Sequence, residues 1–474
     1  MDFKHIFPPS KALILVLGVA LNLICSPAWA AISNAEIQVL ENDYQNITNQ
    51  LYTSLTRNLS ECRSRTRSLK RLNLQLQKLS TQNKKIIGVC LIQNHLPLIQ
   101  KNIDSKETFP ILQFLLDNNN LHLANKLYKI AKNESDSSLV SNISFIYARY
   151  YLKRKQWKKV LLHIKNTYND LTTEDANLAY LFTGIALQKL KQHRPAVKIY
   201  SKIPKSSKYY PAARLNIAIA YIRQDWWTDA HIEIDQIINN KKLNTHSEMI
   251  NRLYLVLGYS LLRKEFYRDS REAFRNVEIN SIYFNKALLG IALTATNQED
   301  YISALNAINI LTENKTFDLS VDESHLLLPY IYEKLNQNMT ASASYTDAQS
   351  YYKKRIKNIK SINNENQHSI NVTNILTNHN QLNIKNNIVD YSKYFPVSFL
   401  ENSNRLNEFS KYVIHVENIK LKNKYKVLKE KHNKLLSRMV AEIFDDRLTY
   451  LKSYMNQSRF GLARLFDNSN TAQN

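Results

Sequence analysis

The sequence predicts an all-α fold: a right-handed superhelix of stacked helix pairs, with long helices or coiled coils at both ends. One observation is a pattern of small and aromatic residues that returns seven times between residues 105 and 357, every 34 to 40 residues. A period of this length is typical of helical solenoids, in which each unit buries its apolar face only by stacking on a neighbour. The other observation is that the apolar residues before and after this stretch follow helical spacing.

Residues 1–30 have the pattern of a secretory signal peptide. Lys4 and Lys11 precede an apolar run that ends near Cys25, and the small residues Ala28 and Ala30 follow it. We expect cleavage before Ala31 and export to the periplasm, with the mature protein free there or associated with the outer membrane. The run is short for a membrane span, so an uncleaved anchor is the weaker alternative.

Residues 31–104 are predicted to form amphipathic helices or a coiled coil. Apolar residues recur at steps of three and four around Tyr44 and again around Leu76, and the second half is basic. Cys62 and Cys90 are the only cysteines after the signal peptide. In an oxidising compartment they are a candidate disulfide, but spacing alone does not decide whether they meet.

Residues 105–357 form the seven predicted repeats, which begin at Ser105, Ser141, Asn177, Pro211, Asn251, Asn285 and Asp322. Within each unit, small residues allow two helices to approach, and a bulky residue fills the space between neighbouring pairs. The eighth position reads Leu112, Ala148, Gly184, Ala218, Gly258, Ala292, Pro329. The twentieth reads Ala124, Val160, Ala196, Ala230, Ser270, Ala304, Ala341, and the twenty-fourth Tyr128, Ile164, Tyr200, Ile234, Phe274, Ile308, Tyr345. In the last unit, Ser320 and Glu323 have the spacing of a helix capping box.

These columns resemble the tetratricopeptide repeat (TPR) family over about half of the chain. The resemblance implies that the first helix of each unit lines a concave groove, with positions 2, 5 and 9 facing a bound partner segment. Carried over, positions 5 and 9 form an unusually apolar groove, which favours a protein partner. If the register is shifted by one residue, they are core positions instead, and the chain's own C-terminal helices are another candidate occupant. The residues are Phe145, Leu181, Ile185, Leu215, Ile219, Leu255, Tyr259, Leu289, Leu293 and Tyr330.

Basic residues also occupy position 13 of most units. This column has the charge to bind carboxylates, as charged grooves of the resembling family do. The Asn and Lys set with which that family holds a terminal carboxylate is not reproduced at positions 5 and 9, so we do not expect a clamp of that kind. The column reads Lys153, Lys189, Arg223, Arg263 and Lys334.

The C-terminal third changes character. Residues 358–400 are Asn-rich and predict a linker, and residues 461–474 predict a disordered tail. Residues 401–460 predict basic helices or a coiled coil with a heptad seam at Ile414, Leu421, Leu428 and Leu435. Because both terminal helical regions are basic, we expect them to repel each other unless acidic groups intervene.

Composition argues against most catalytic classes. The six glycines are dispersed, whereas phosphate-binding loops, dinucleotide fingerprints and nucleophile elbows need closely spaced glycines. No histidine has metal-ligand spacing, so we expect no cofactor, no metal and no enzyme activity. The net charge of +24 suits anionic envelope material better than nucleic acid in an exported protein.

These observations predict a scaffold of the bacterial cell envelope that binds a protein partner and self-associates through its terminal helices. The alternative is a peripheral binder of anionic lipid, lipopolysaccharide or cell-wall polymer through the basic helices.

Overall fold

The computed structural model describes residues 30–238, 247–314, 316, 318–369, 381–384, 387–390 and 396–471. The predicted signal peptide and its cleavage site therefore lie almost wholly outside the described residues. Within the described residues, no helix is both long enough and apolar enough to cross a bilayer.

The chain has the all-α, TPR-like repeat fold that the sequence predicts. Eight helix pairs follow one another, preceded by α1 (Ala30–Asn58) and a 3-10 turn (Ser60–Arg63). The first pair is α2 (Leu69–Thr81) with α3 (Lys85–Asn94), and the short helix α4 (Leu96–Lys101) follows it. The next four pairs are α5 (Thr108–Asp117) with α6 (Leu121–Glu134), α7 (Ser137–Lys153) with α8 (Trp157–Ile164), α9 (Thr173–Lys189) with α10 (His193–Tyr200), and α11 (Tyr210–Ile222) with α12 (Trp227–Ile238). The last three pairs are α13 (Ser247–Arg263) with α14 (Tyr267–Arg275), α15 (Phe284–Asn297) with α16 (Tyr301–Glu313), and α17 (Leu319–Lys334) with α18 (Asn338–Ser369).

The turn inside each pair has the same backbone conformation. One non-glycine residue adopts a left-handed φ between 50° and 66°, and these residues recur every 34 to 40 positions. In the α7–α8 turn, for example, the Gln156 amide donates to the carbonyl of Tyr151 at 3.0 Å, which closes a Schellman-type helix end. The eight residues are Asn83, Asn119, Lys155, Lys191, Asp225, Glu265, Glu299 and Asn336.

This recurrence extends the array beyond the predicted start at Ser105. The α2–α3 pair carries Asn83 at its turn and packs on α5, so it is a further repeat-like unit. Of the two forms predicted for residues 31–104, amphipathic helices or a coiled coil, α2 has the first, because it buries Leu69, Leu72 and Leu76 on one face. Gly88 supplies the close approach, because a Cβ there would overlap the ring of Phe114.

Small residues and large rings pack inside the units as the columns predict. A Cβ on Gly258 would lie 2.6 Å from Cε1 of Phe274, and one on Gly184 would overlap the ring of Tyr200. The Ser270 hydroxyl donates to the carbonyl of Gly258 at 2.8 Å. In these two units, positions 8 and 24 meet so closely that a larger residue than glycine at position 8 would displace the ring at position 24.

Successive first helices of the array contact one another, whereas second helices pack mainly against first helices. The side on which helices are closer together is the inside of a curved stack. The first helices α7, α9, α11, α13, α15 and α17 therefore form the inner face, and the second helices form the outer face.

The C-terminal region folds back onto the array. A two-stranded antiparallel hairpin, β1 (Gln381–Ile384) with β2 (Asn387–Asp390), precedes α19 (Val397–Phe409). After a 3-10 turn (Val413–His415) the chain continues as α20 (Ile419–Thr471), which we call the strap helix. At 1.5 Å per residue, its 53 residues span about 80 Å.

Helix α19 anchors this region on the N-terminal end of the array. The Asn402 side-chain amide donates to Glu41 of α1 at 2.9 Å, and the Arg405 guanidinium donates to Asn118 at 2.5 Å. Buried Arg154 pairs with Glu401. Charged and amide groups from three separate parts of the chain thus satisfy one another away from water.

The strap helix joins the two ends of the molecule. Its first half packs on α1, where Arg438 pairs with Glu36 at 3.0 Å. Its second half packs on α17 and α18, where Arg464 pairs with Glu333 at 2.7 Å and the rings of Tyr454 and Tyr352 meet at 5.9 Å.

The exception allowed for the two basic terminal regions applies, because the strap helix packs on α1, whose acidic Glu36 and Asp43 face its basic residues. Other predictions for the C-terminal third need correction. The heptad seam is intramolecular: Leu421, Leu428 and Leu435 are buried, although Ile414 is 72% exposed. Residues 461–467 are helical, and α18 and the hairpin occupy described parts of the predicted linker.

Candidate functional site

The ten residues of the predicted groove do not form one exposed apolar surface. Six are buried, which corrects the expectation that they face a partner: Phe145, Leu181, Leu215, Ile219, Leu289 and Leu293. The other four are half-buried: Ile185, Leu255, Tyr259 and Tyr330.

The buried six are covered because neighbouring first helices touch. The rings of Phe145 and Phe182, from α7 and α9, stack with centroids 5.9 Å apart. Tyr259 is partly withdrawn as well, because its hydroxyl donates to the carbonyl of Lys286 on α15 at 2.7 Å. Position 5 therefore serves mainly as packing between units, which matches the core alternative left open by the sequence.

The exposed part of the inner face is basic. All five residues of the position-13 column are exposed. Two of them pair with acids, Lys153 with Glu401 at 3.0 Å and Arg263 with Asp225 at 3.9 Å, and Lys334 lies over the ring of Tyr330. The basic residues at position 13, which sequence analysis placed second to the apolar groove, are thus the accessible charged groups of this surface.

Three cations form the middle of this surface, and we call them the basic lane: Lys189 of α9, Arg223 at the end of α11, and Arg252 of α13. Arg252 is at position 2 and was missed by sequence reasoning, although position 2 faces the groove in the resembling family. Among the described residues, none of the three has an acidic partner.

The lane residues feel one another's charge. Partial desolvation and then the charges of Arg252 and Arg223 lower the pKa of Lys189. Desolvation and then the charge of Arg252 likewise lower the pKa of Arg223. Both shifts disfavour the charged forms, as expected for partly desolvated cations that lie near one another.

Hydrogen bonds join the two units that carry Lys189 and Arg223. The Tyr200 hydroxyl donates to Gln188 of α9 at 3.0 Å, and the Gln188 amide donates to the carbonyl of Asn216 of α11 at 3.3 Å. Helices α11 and α13 pack directly on each other, so Arg252 lies on the helix next to the one that ends before Arg223. The half-buried apolar side chains of Ile185 and Leu255 lie on the same helical faces as the lane.

Cys62 and Cys90 are both buried and carry free thiols in this structure. Burial, and then a hydrogen bond with Cys62, raises the pKa of the Cys90 thiol well above its ordinary value. The two thiols are therefore neighbours, and the disulfide stays a prediction. A thiol with a raised pKa is a poor nucleophile, so the Cys90 thiol is suited to packing rather than to catalysis.

Among the described side chains, no group of three or more His, Cys, Asp or Glu residues could hold a metal ion. His193, which lies in the aromatic column at position 17, has a pKa lowered by desolvation and then by the charge of Arg223. What this surface offers is charge and shape for binding.

No protein-family model and no curated protein matches the chain. Solved structures that share its helical character include the apo form of the quorum sensor NprR from B. thuringiensis, with 13% identity, a TM-score of 0.35, and coverage of 68% of this chain and 96% of that one. The apo form of RapI has 13% identity, a TM-score of 0.37, and coverage of 69% of this chain and 96% of that one. A Rap protein in complex with competence and sporulation factor has 13% identity, a TM-score of 0.29, and coverage of 73% of this chain and 97% of that one. At these TM-scores the likeness does not guide the interpretation of the site.

Proposed function

We propose that this chain is a non-enzymatic interaction scaffold that holds a segment of a partner protein on the inner face of its repeat array. The observation that carries the proposal is the exposure of the inner face in the central units. On α9, α11 and α13, charged and apolar side chains of the inner face are solvent-accessible, while the strap helix packs on α1, α17, α18 and α19. The part of the C-terminal region that the structure describes therefore leaves the central inner face open.

The repeat architecture supports this proposal physically. Each unit contributes one helix to the inner face, so the surface is extended and rigid and presents side chains from several units in register. Rigid surfaces bind extended segments with little loss of their own conformational entropy. The bound segment of the partner loses conformational entropy instead, and several weak contacts along the array offset that loss.

The test is affinity capture from extracts of the cells that produce the protein. The inner-face variant Ile185→Glu with Leu255→Glu places charges at two half-buried positions. The matched outer-face variant Leu162→Glu with Ile310→Glu changes residues that are 73% and 53% exposed on α8 and α16. We expect the inner-face variant to lose the co-purifying protein and the outer-face variant to retain it, with equal helicity by circular dichroism. Retention by a folded inner-face variant would contradict the proposal.

A second candidate function is binding to anionic envelope surfaces. The first half of the strap helix presents Lys420, Lys424 and Lys434 with Val427, which is 49% exposed, and Ile419 nearby is 72% exposed. Basic and apolar side chains on one accessible face suit the interface of an anionic bilayer. Sedimentation with phosphatidylglycerol vesicles at low and high salt tests it, and this function requires binding that high salt weakens.

Export to the cell envelope is part of the same proposal and rests on the pattern of residues 1–30. Amino-terminal sequencing of the protein from fractionated cells is expected to begin at Ala31 in the envelope fraction. An uncut chain in the cytoplasmic fraction would contradict it.

A further inference from the structure

A groove lies between α18 and the second half of the strap helix, and we call it the strap groove. The two helices pack on each other, and Tyr352, Leu451 and Tyr454 are buried in the core that they share. Beside this core the helices leave an open cavity of about 490 Å³. Its volume is within the range of ligand pockets, roughly 300 to 1,000 Å³. The lining residues are Lys353, Ile356, Lys357, Lys360, Ser361 and Met455.

The uncharged part of the strap groove is mainly apolar. Ile356 and Met455 are half-buried and pack against the shared core. Among the lining residues, the Ser361 hydroxyl is the one uncharged side-chain group that hydrogen-bonds strongly. Amide and carbonyl groups that leave water need hydrogen-bond partners. A polypeptide segment in this groove would bring such groups along its whole length, whereas an acyl chain brings none.

Three lysines form a row along one side of the strap groove. Lys353, Lys357 and Lys360 are spaced by four and three residues, so they share one face of α18. All three line the cavity and are exposed. Lysine stems cover apolar surface while their ammonium groups stay in water. The row therefore places three positive charges beside an apolar groove.

We propose that the strap groove binds one acyl chain of an anionic lipid, with the chain on Ile356 and Met455 and the phosphate headgroup beside Lys353, Lys357 and Lys360. An acyl chain gains free energy when it leaves water for an apolar surface, and an anionic headgroup gains from nearby cations. Nucleic acid fits this groove less well, because its backbone is charged along its whole length and has no apolar part for the two residues.

This inference goes beyond the scaffold function and does not depend on it. It also differs from attachment to an anionic bilayer through the first half of the strap helix, because the groove takes up a single lipid molecule and needs no bilayer.

The test titrates the full chain with palmitoyl-lysophosphatidylglycerol below its micelle-forming concentration, followed by native mass spectrometry. Palmitoyl-lysophosphatidylcholine has the same chain and no net charge. We expect one molecule of the anionic lipid per chain and much weaker binding of the other lipid. Equal affinity for the two lipids would overturn the proposal. So would binding to phosphatidylglycerol vesicles alone, with no single lipid bound.

The headgroup side of the proposal is tested by replacing the lysine row. The variant with Lys353→Gln, Lys357→Gln and Lys360→Gln changes exposed positions only, so we expect it to fold. It is expected to weaken binding of the anionic lipid by about tenfold.

The matched control removes the same charge from the first half of the strap helix. Lys420→Gln, Lys424→Gln and Lys434→Gln also change exposed positions. This control is expected to alter the affinity by less than about twofold. An equal loss in both variants would show that the net charge of the chain, and not the groove, attracts the lipid.

The acyl-chain side is tested at the two half-buried positions. Ile356→Gln with Met455→Gln is expected to weaken binding of the same lipid, with unchanged helicity by circular dichroism. Unchanged affinity in this folded variant would overturn the proposal.

Photo-labelling of the wild-type chain locates the lipid without any substitution. A lysophosphatidylglycerol with a diazirine in its acyl chain is expected to label peptides that contain Ile356 or Met455. Labelling confined to other parts of the chain would contradict the assignment to the strap groove.

Discussion

At the scale of single residues, the most unusual group is the Glu323 carboxyl. Its spacing from Ser320 suggests a capping box with Ser320 as the N-cap, but the N-cap of α17 lies two residues earlier, at Asp318, whose carboxylate accepts from the Ser320 amide at 2.9 Å. Glu323 is instead 3% exposed, and its Oε1 has no hydrogen-bond partner. Burial raises its pKa to about 8.

This pKa predicts how stability depends on pH. The unfolded chain ionises Glu323 near its ordinary value of 4.5, whereas the folded protein keeps the proton up to about 8. The group therefore lowers stability as pH rises through this window, by about 1.4 kcal/mol per pH unit at most. Glu323→Gln should remove that slope and stabilise the protein at pH 7, as measured by urea unfolding at several pH values.

The control for this variant is Glu272→Gln, at an exposed position of α14. It should leave both the slope and the stability nearly unchanged. A Glu323→Gln protein with the pH dependence of the wild type would show that the carboxyl is ionised in the folded state.

At the scale of elements, the turns inside the helix pairs carry conformational strain. A left-handed conformation costs a residue with a Cβ about 1 kcal/mol, and eight non-glycine residues adopt it. Lys191→Gly in the α9–α10 turn should therefore stabilise the protein by up to about 1 kcal/mol. The measurement is chemical unfolding followed by circular dichroism.

The same substitution inside a helix should have the opposite sign. Lys129 is exposed in the middle of α6, and Lys129→Gly should destabilise by about 1 kcal/mol. If Lys191→Gly destabilised as much as Lys129→Gly, the left-handed turn would not be the source of strain.

Sequence reasoning reached the helix pairs because their small and large residues must meet. Gly184 with Tyr200 and Gly258 with Phe274 lie at fixed separations along the chain, so periodicity reveals them. The α2–α3 pair was missed although Leu76 and Gly88 stand 36 residues before Leu112 and Ala124, the position-8 and position-20 residues of the next unit. The turn at Asn83, in register with the other turns, was the signal that could have extended the array.

The site was only partly predictable for a related reason. Periodicity assigns Leu215 or Leu289 to a helical face, but whether that face is open depends on how far neighbouring units rotate against each other. The lane depends on proximity across three units, because Lys189 and Arg252 are far apart in sequence. Tertiary packing, rather than local pattern, decides both.

At the scale of the whole molecule, one element, the strap helix, packs on both ends of the molecule. A buried charge cluster fixes its second half: Asp322 is fully buried, accepts from the Tyr351 hydroxyl at 2.7 Å, and pairs with Arg447 of the strap and with Arg355 of α18. Removing one member of such a cluster leaves the remaining charges without compensation.

Asp322→Asn should therefore destabilise the protein by about 3–5 kcal/mol and loosen the second half of the strap helix. Hydrogen exchange followed by mass spectrometry should show faster exchange around Arg447 and Tyr454. Asp445→Asn, at an exposed position of the same helix, is the control and should leave exchange unchanged. Equal protection of the strap in both variants would contradict the anchoring role of Asp322.

The account rests on the inner face of the array being the surface that binds a partner, and photo-crosslinking tests this most directly. A photoreactive residue replaces Leu255 on the inner face or, as control, Ile310, which is 53% exposed on the outer face. Irradiation in extracts of the producing cells should join one defined protein to position 255 and leave position 310 without that adduct. The same adduct from position 310 alone, or equally from both, would contradict the central claim.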